Sequence, residues 1–290
     1  MEIEFVKVSP TQNMTILVTS PLDRAQYRDL AEKIMAYDNV HAEQVGFVEK
    51  ARPPALARLQ MAGGEFCANA SLSLCAYLVW KNIAENNEEN TADGILVPIE
   101  VSGADEIIHC TIKKTNDGFL GKINMPLPEM IMDFNTEISG KKYSFPVVYM
   151  PGISHVIIDI ASITVKEEII VEALISNMNA ITKEDAIGLM FFDKKQSYIK
   201  PFVYVKTAGT EVWERGCGSG TAAMGAYLAH VSGKHIIADI AQPGGIIKVE
   251  ADIKDGEKSN FKKINNITKI SNLTIEGKIQ IVAQGKAFLP

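Results

Sequence analysis

The sequence predicts a mixed α/β (α+β) protein built from two similar units, and three observations carry that expectation. The phrase "FCANASLSLCAYLV", residues 66 to 79, returns as "GCGSGTAAMGAYLA", residues 216 to 229, with Cys67 matching Cys217 and Ala76-Tyr77-Leu78 matching Ala226-Tyr227-Leu228. The elements read upstream of each phrase run in one order: strand, helix, strand, strand, glycine loop, cysteine, apolar helix. At 290 residues, 47% hydrophobic and 22% charged, the chain has the length for two medium domains and an ordinary globular composition. One long repeat of this kind points to two like units, because a solenoid needs several short periods.

Taken in order, "IEFVKVSP" alternates as a strand and "NMTILVTS" reads as a second, punctuated by Pro21-Leu22-Asp23. Asp23 stands where it can cap the helix "RAQYRDLAEKIMAY", in which Leu30, Ile34 and Met35 recur at helical spacing. "EQVGFVE" and "ARLQMAGGEF" are strand-like, the second breaking at Gly63-Gly64 just before Cys67. In the second half "SHVIIDI" is a strand, and "TVKEEIIVEALISNM" is a helix with Thr164 as candidate cap. Its Glu167 and Glu168 fall in the first turn, where the helix dipole favours anions. "IGLMFFD" and "PFVYVKTAG" are strands, and Glu214-Arg215-Gly216 leads into Cys217. On this alignment Asn13 corresponds to Ser154, and Gln44 falls near Gly188. The polar stretches "KNIAENNEENTADG" and "DGEKSNFKKINNITK" read as exposed loops or hairpin turns.

The bulk numbers exclude several classes of function. A formal charge of -6 with no basic block gives nothing for nucleic acid or an anionic membrane to bind, while a small neutral or zwitterionic ligand stays open. The first twenty residues begin acidic and then alternate, unlike a secretory signal, and no apolar run approaches a membrane span. The expected location is cytoplasmic. Cys67, Cys75, Cys110 and Cys217 show no CxxC or His-x-x-x-His companion, so they are expected to be reduced thiols that bind no metal. In that setting the sequon at Asn266-Ile-Thr268 carries no meaning. "GCGSG" lacks the lysine of a phosphate-binding loop, and no lysine motif for pyridoxal phosphate is present, so no cofactor is expected.

The repeated cysteines have a chemical reading. The helix after each is apolar nearly all round, through Leu72, Leu74, Ala76, Leu78 and Val79 in one case and Ala222, Ala223, Met224, Ala226 and Leu228 in the other. A helix without a polar face is buried. Each cysteine then stands at the N-terminal end of a central helix, where free N–H groups and about half a positive charge are expected to lower a thiol pKa toward neutrality. Small residues follow it (Ala68 and Ala70; Gly218, Ser219 and Gly220), so the backbone can approach and grip a carboxylate. Two such ends clamping one amino acid would set a sulfur on each face of its α-carbon, the arrangement a cofactor-free racemase needs. Cys75, inside a helix, and Cys110, at the end of "EIIHC", read as packing.

With these motifs in place, the chain resembles the diaminopimelate epimerase-like superfamily, which includes proline racemases. The stretches "FVKVSPTQNMTILV", "EQVGFVE", "GGEFCANA", "CGSGTA" and "AQPGG" fall in its order and at about its spacings, from the N-terminus to "GKAFL". Within it, "NMTILV", "EQVGF" and "CGSGTA" are most similar to the histidine racemases that supply D-histidine to staphylopine-like metallophores. The resemblance implies two pseudo-symmetric domains, each a curved, mostly antiparallel sheet wrapped around a central apolar helix, with the active site in the cleft. The expected domains are 1–130, completed by a returning strand at 280–290, and 131–279. It implies that Cys67 and Cys217 are the proton-transfer pair, that Asn13 and Gln44 line the cleft, and that Glu214 holds the α-ammonium group. The N–H groups of Ala68, Asn69, Gly218 and Ser219 are implied to hold the α-carboxylate. A homodimer follows by analogy. The chain departs from the epimerases in having no residue between its "ERG" and the cysteine, which bears on Glu214.

Substrate is read from substitutions. Where diaminopimelate epimerases carry asparagines in "FNADG", "GNPH" and "TNV"-like segments, this chain has "LQMAGG", "GISH" and "GLMF", putting Met61, Ile153 and Met190 at the polar anchors. A second carboxylate would lack partners there, so a flat, moderately apolar imidazole fits better and histidine is the expected substrate. Diaminopimelate or another amino acid is the alternative; a non-catalytic binding or isomerase relative and a redox thiol protein are readings from other classes. His155 is expected to be satisfied locally in its strand, and His41, His109, His230 and His235 show no convergent spacing.

Overall fold

The computed structural model describes residues 1–84, 90, 91, 93–207, 209–254 and 270–289. The sequence segments expected to be loops at 81–94 and 255–269 fall largely, and the sequon at Asn266 wholly, outside the described residues. The strands and helices of the first half are β1 (Glu2–Pro10), β2 (Thr15–Val18), α1 (Tyr27–Met35), β3 (Gln44–Glu49), β4 (Arg58–Met61), α2 (Ala68–Trp80), β5 (Asn90–Thr91), β6 (Gly94–Val101), β7 (Ile108–Thr115) and β8 (Gly118–Asn124). The second half runs β9 (Met130–Ile138), β10 (Lys141–Met150), β11 (Ile153–Asp159), α3 (Glu167–Asn179), β12 (Ala186–Asp193), β13 (Tyr198–Val205), β14 (Thr210–Trp213), α4 (Gly218–Ser232), β15 (Ile236–Gln242), β16 (Gly245–Ile253) and β17 (Ile270–Phe288). Two compact units result, Met1–Asn124 with Glu276–Pro290, and Met125–Ile275.

In the first unit β2 pairs parallel with β3, and β3 antiparallel with β4. The second unit repeats the pattern, with β11 parallel to β12 and β12 antiparallel to β13. Parallel neighbours need a crossover, which α1 and α3 supply. Asp23 caps the chain's entry to α1, its side chain accepting from Ala25 N–H at 3.0 Å at a 3-10 turn over Arg24–Gln26. The buried face of α1, Tyr27, Leu30, Ala31 and Ile34, packs with Ile3, Ile16, Val45 and Phe47, and the Tyr27 and Phe47 rings stack at 3.6 Å. Met35, expected on that face, lies only partly buried at its edge.

Helix α3 buries Ile170, Leu174, Ile175 and Met178 against β9 and β12. Its cap differs from the sequence expectation: the helix starts at Glu167, its N-cap is Lys166, and Thr164 lies too far upstream to reach the first-turn N–H groups. The Thr164 hydroxyl instead accepts from Lys141 Nζ at 3.1 Å.

Helices α2 and α4 follow the two cysteines. α2 packs against β1, β2, β3, β4, β6, β7 and β8, and α4 against β10, β11, β15 and β16. Ser71 and Ser73 sit in this apolar surround because each hydroxyl donates to the carbonyl four residues back, Cys67 O and Asn69 O, both at 2.7 Å. α4 ends at Gly233, whose φ of 62° closes the helix in the left-handed conformation. Cys75 and Cys110 are fully buried, and Cys110 lies inside β7 rather than at a strand end. Among the described residues no helix is long and apolar enough to cross a membrane.

Candidate active site

Each repeated cysteine is the N-cap of its helix. Cys67 has φ −132° and ψ 111°, and Cys217 φ −113° and ψ 107°, so the two backbones are nearly superimposable locally. In each the sulfur does what a serine or aspartate oxygen does at most helix starts. Cys67 Sγ accepts from Ala70 N–H at 3.4 Å, and Cys217 Sγ from Gly220 N–H at 3.3 Å. A hydroxyl four residues on completes the match: Ser71 donates to Cys67 O and Thr221 to Cys217 O, each at 2.7 Å. The Ser/Thr at the fourth position after each cysteine was legible in the repeated phrase.

In the first unit the structure brings Gln44 to Cys67. Gln44 opens β3, and its Oε1 stands 2.7 Å from Cys67 Sγ, the thiol donating. Asn13 ends the turn between β1 and β2 and is fully buried. It is tied to Gln44 through its neighbour, since the N–H groups of Glu43 and Gln44 both donate to Met14 O, at 2.9 and 3.2 Å. The Glu43 carboxylate takes Met14 N–H in return, and burial raises its pKa. Ala68 and Asn69 are the first two residues of α2, where no carbonyl lies within the helix for their N–H groups.

The loop entering Cys67 is set by Ser102 and Gly103. Ser102 Oγ accepts from Met61 N–H and donates to Glu65 O, both at 2.9 Å. A Cβ on Gly103, whose φ is +73°, would lie 2.3 Å from Phe66 N and 2.7 Å from Glu65 C. Backbone cannot swing aside as a side chain does, and the conformation itself disfavours alanine. Gly103→Ala is therefore expected to cost roughly 2–4 kcal/mol in a urea unfolding titration and to displace the approach to Cys67, lowering activity in the folded fraction. An unchanged unfolding midpoint would refute this account of the loop.

In the second unit Glu214 and Cys217 stand together. Glu214 follows β14, a strand absent from the sequence reading, and its N–H donates to Pro201 O at 3.0 Å. The Glu214 carboxylate is in hydrogen-bonding contact with the Cys217 thiol, so placing "ERG" directly before the cysteine makes this acid the thiol's neighbour. Ser219 Oγ lies 3.6 Å from Cys217 Sγ, and Gly218 is buried as the first residue of α4. Burial and, after it, the Glu214 charge push the Cys217 thiol well above its ordinary pKa. That corrects the expectation of a lowered value. The Gly220 N–H and the Ser219 hydroxyl do favour the thiolate, but a sulfur with its residue 3% exposed loses more solvation than they return.

Met190 forms a wall beside this half. A Cβ on Gly220 would lie 2.3 Å from Met190 Sδ and 3.1 Å from Cys217 Sγ, so the thioether and the thiol flank one glycine. Met190 and Met61 are buried, and Ile153 is partly so. His155 is not satisfied locally as expected. It is fully buried, neither ring nitrogen has a hydrogen-bond partner among the described residues, and burial lowers its pKa to about 3. Among the described residues, potential metal-ligating side chains gather at His235, just before β15, and at Glu250 and Asp252 on β16, where His235 Nδ1 and Asp252 Oδ1 are hydrogen-bonded.

Solved structures with this fold include racemases and epimerases. A hydroxyproline epimerase from Agrobacterium vitis with bound trans-4-hydroxy-L-proline superposes with TM-score 0.66 at 14% identity, covering 100% of this chain and 93% of that one. A probable proline racemase from Agrobacterium radiobacter K84 gives 0.63 at 14% identity, with 98% and 92% covered. The fold is one that amino acid racemases and epimerases share, and sequence relatives of that activity make this chain an amino acid racemase, an isomerase. Residues 2–288 match the profile of the histidine racemase CntK N-terminal domain, and the chain belongs to that family. Its relatives include a histidine racemase of Fusobacterium nucleatum subsp. nucleatum strain ATCC 23726, 31% identical over 99% of this chain and 97% of that protein. A histidine racemase of Staphylococcus aureus strain Mu50 is 27% identical over 99% of this chain and 98% of its own length.

Proposed function

We propose that the protein interconverts L- and D-histidine by proton transfer between Cys67, Cys217 and the substrate α-carbon, with neither pyridoxal phosphate nor metal. One thiolate breaks the Cα–H bond and takes the proton, the electron pair passes to Cα and its carboxylate, and the opposite thiol forms the new C–H bond from its own S–H. The two sulfurs exchange protonation states in each turnover, and the reverse direction runs with the roles swapped.

The observation that carries this reading is the duplicated helix start: two cysteines of like backbone conformation, each with its sulfur on an N–H three residues ahead. The N–H groups of Ala68 and Asn69 in one half and Gly218 and Ser219 in the other are proposed to hold the α-carboxylate, where charge gathers as the proton leaves. Asn13 and Gln44 are proposed to line the site, and Glu214 to hold the α-ammonium beside Cys217. Substrate binding raises the demand on Glu214, because an ammonium ion partly neutralises the carboxylate that keeps the thiol protonated and so makes the thiolate easier to form. Histidine is favoured by the names of the relatives and by the methionine surface at Cys217, which offers an imidazole an adaptable apolar wall and offers a second carboxylate nothing.

The test is incubation with single enantiomers in heavy water after dialysis against chelator and without added pyridoxal phosphate. Deuterium is expected at Cα of histidine together with loss of optical activity, at a kcat/KM at least about 100-fold above that for diaminopimelate or proline, the discrimination expected of unpartnered polar groups in an apolar pocket. Exchange at diaminopimelate or proline but not histidine would overturn the substrate, and no exchange at any amino acid would overturn the activity.

A further inference from the structure

We propose that Gln242, at the end of β15 where the chain turns into β16, is a positioning residue that sets where the Cys217 sulfur stands. The inference rests on the reading of Cys217 as a proton-transfer group.

Gln242 is the last residue of β15 and is 5% exposed. Its Oε1 accepts Cys217 N–H at 2.7 Å, and its Nε2 donates to Thr221 Oγ1 at 2.7 Å. The Thr221 hydroxyl in turn donates to Cys217 O, also at 2.7 Å. One side-chain amide therefore brackets both peptide groups of Cys217, directly through the N–H and through Thr221 at the carbonyl. Fixing the N–H direction fixes φ and fixing the carbonyl direction fixes ψ, so the Cα–Cβ bond that carries the sulfur is aimed by a residue 25 positions away.

The amide also has a defined orientation. Turned over, it would set its NH2 against the Cys217 N–H, donor against donor, and give up a buried hydrogen bond on each side. The turn grips the loop before the cysteine as well: Gly244 N–H donates to Arg215 O at 2.6 Å, and Arg215 Nη2 to Pro243 O at 3.1 Å. The segment holding Glu214 and Cys217 is thus anchored to one hairpin tip.

The first unit is built differently at this point. Ser71 repeats the Thr221 bond to the cysteine carbonyl, but the amide nearby, Gln44, meets the Cys67 sulfur itself. Gln242 therefore acts on one half of the repeat. Removing it is expected to change Cys217 and leave Cys67 as it was.

The experiment compares Gln242→Met, which keeps the length and loses both hydrogen bonds, with Gln242→Glu and Thr221→Val. Gln242→Glu keeps the acceptor for Cys217 N–H but sets a negative charge beside the thiol. Two readouts are taken: kcat and KM for histidine, and the pH dependence of iodoacetamide alkylation at Cys67 and Cys217, resolved by peptide mass spectrometry. Gln242→Met is expected to lower kcat 10- to 100-fold with KM within about threefold, the cost of misplacing a proton-transfer group. It is also expected to change the Cys217 alkylation rate with Cys67 unmoved. Gln242→Glu is expected to keep more of kcat at its optimum and to move that optimum and the Cys217 profile to higher pH. Thr221→Val should give a smaller effect of the same sign, and it decides the matter with Gln242→Glu if the methionine variant does not fold.

Parent values of kcat and of the Cys217 profile in the folded variants would overturn the positioning role, as would equal changes at both cysteines. Alkylation needs no turnover, so a shifted Cys217 profile in a protein that racemises nothing would refute the proposed function and keep this inference. Normal racemisation with an unmoved profile would do the reverse.

Discussion

Serine at Cys67 or at Cys217 is expected to lower histidine racemisation by 10³-fold or more while leaving the fold intact. Serine is itself a favoured N-cap, so the helix start survives and the melting temperature should move little. What is lost is a sulfur that can give and take a proton, because a serine hydroxyl is far too weak an acid to be ionised at either helix start. One general acid or base is typically worth 10²- to 10⁴-fold, and the proposed two-thiol route needs both in each turnover.

The single variants are also expected to part the two enantiomers. A remaining cysteine can still remove the proton on its own face and return one to the same face. In heavy water, Cys67→Ser should therefore exchange the α-proton of one histidine enantiomer with retention, and Cys217→Ser that of the other. This assigns each sulfur to a face, which neither sequence nor fold decides. Wild-type racemisation by either variant would remove the two-thiol mechanism.

Substitution of His155 is expected to abolish most of an acid sensitivity built into the second unit. Folded His155 is neutral, with its pKa held at about 3 by burial, while the unfolded chain binds a proton near 6.5. Its stabilising contribution is complete above pH 6.5 and is lost as the pH falls from 6.5 toward 3, because over that window the unfolded state holds the extra proton. Between pH 7 and pH 4.5 the loss from this one group is about 2–3 kcal/mol.

Urea unfolding at both pH values should show that much more acid destabilisation in the parent than in His155→Met, whose unbranched side chain suits the space beside Met190 and Gly188. Comparison with the variant is needed because Glu43 works in the opposite sense. Its raised pKa lets the folded state take a proton before the unfolded state does, which favours the folded state in acid. Parallel pH profiles for parent and variant would show that the imidazole is solvated or paired in solution. At the alkaline end Cys217 adds a further slope. Its thiol ionises later folded than unfolded, so stability falls as the pH rises above the unfolded thiol's value near 8.5.

Much of this was legible in the chain. The strands around β2, β3, β11, β12 and β13, the capped entry to α1, and the two apolar helices came from periodicity and composition, and each cysteine's place at a helix start followed from the glycines and alanines after it. The misses share a cause. Thr164 has the right residue type for a cap, but the helix began where α3 met β9 and β12, two residues past its reach. His155 looks like any strand histidine, and only the packing of Gly188 and Met190 around it removes its partners. "AQPGG" enters the sequence reading only as part of the family resemblance, with nothing local to say that its glutamine side chain reaches the start of another helix.

The sequence by itself determined that there are two like units and that a cysteine opens the buried helix of each. Those are consequences of bonds and hydrophobic spacing within a few turns of chain. Only the tertiary structure decided the state of each sulfur: Gln44 on Cys67, and Glu214, burial and the Gln242 clamp on Cys217. Desolvation and charge are summed over everything that surrounds a group. For a thiol in a protein interior, most of those surroundings come from residues far away in the chain.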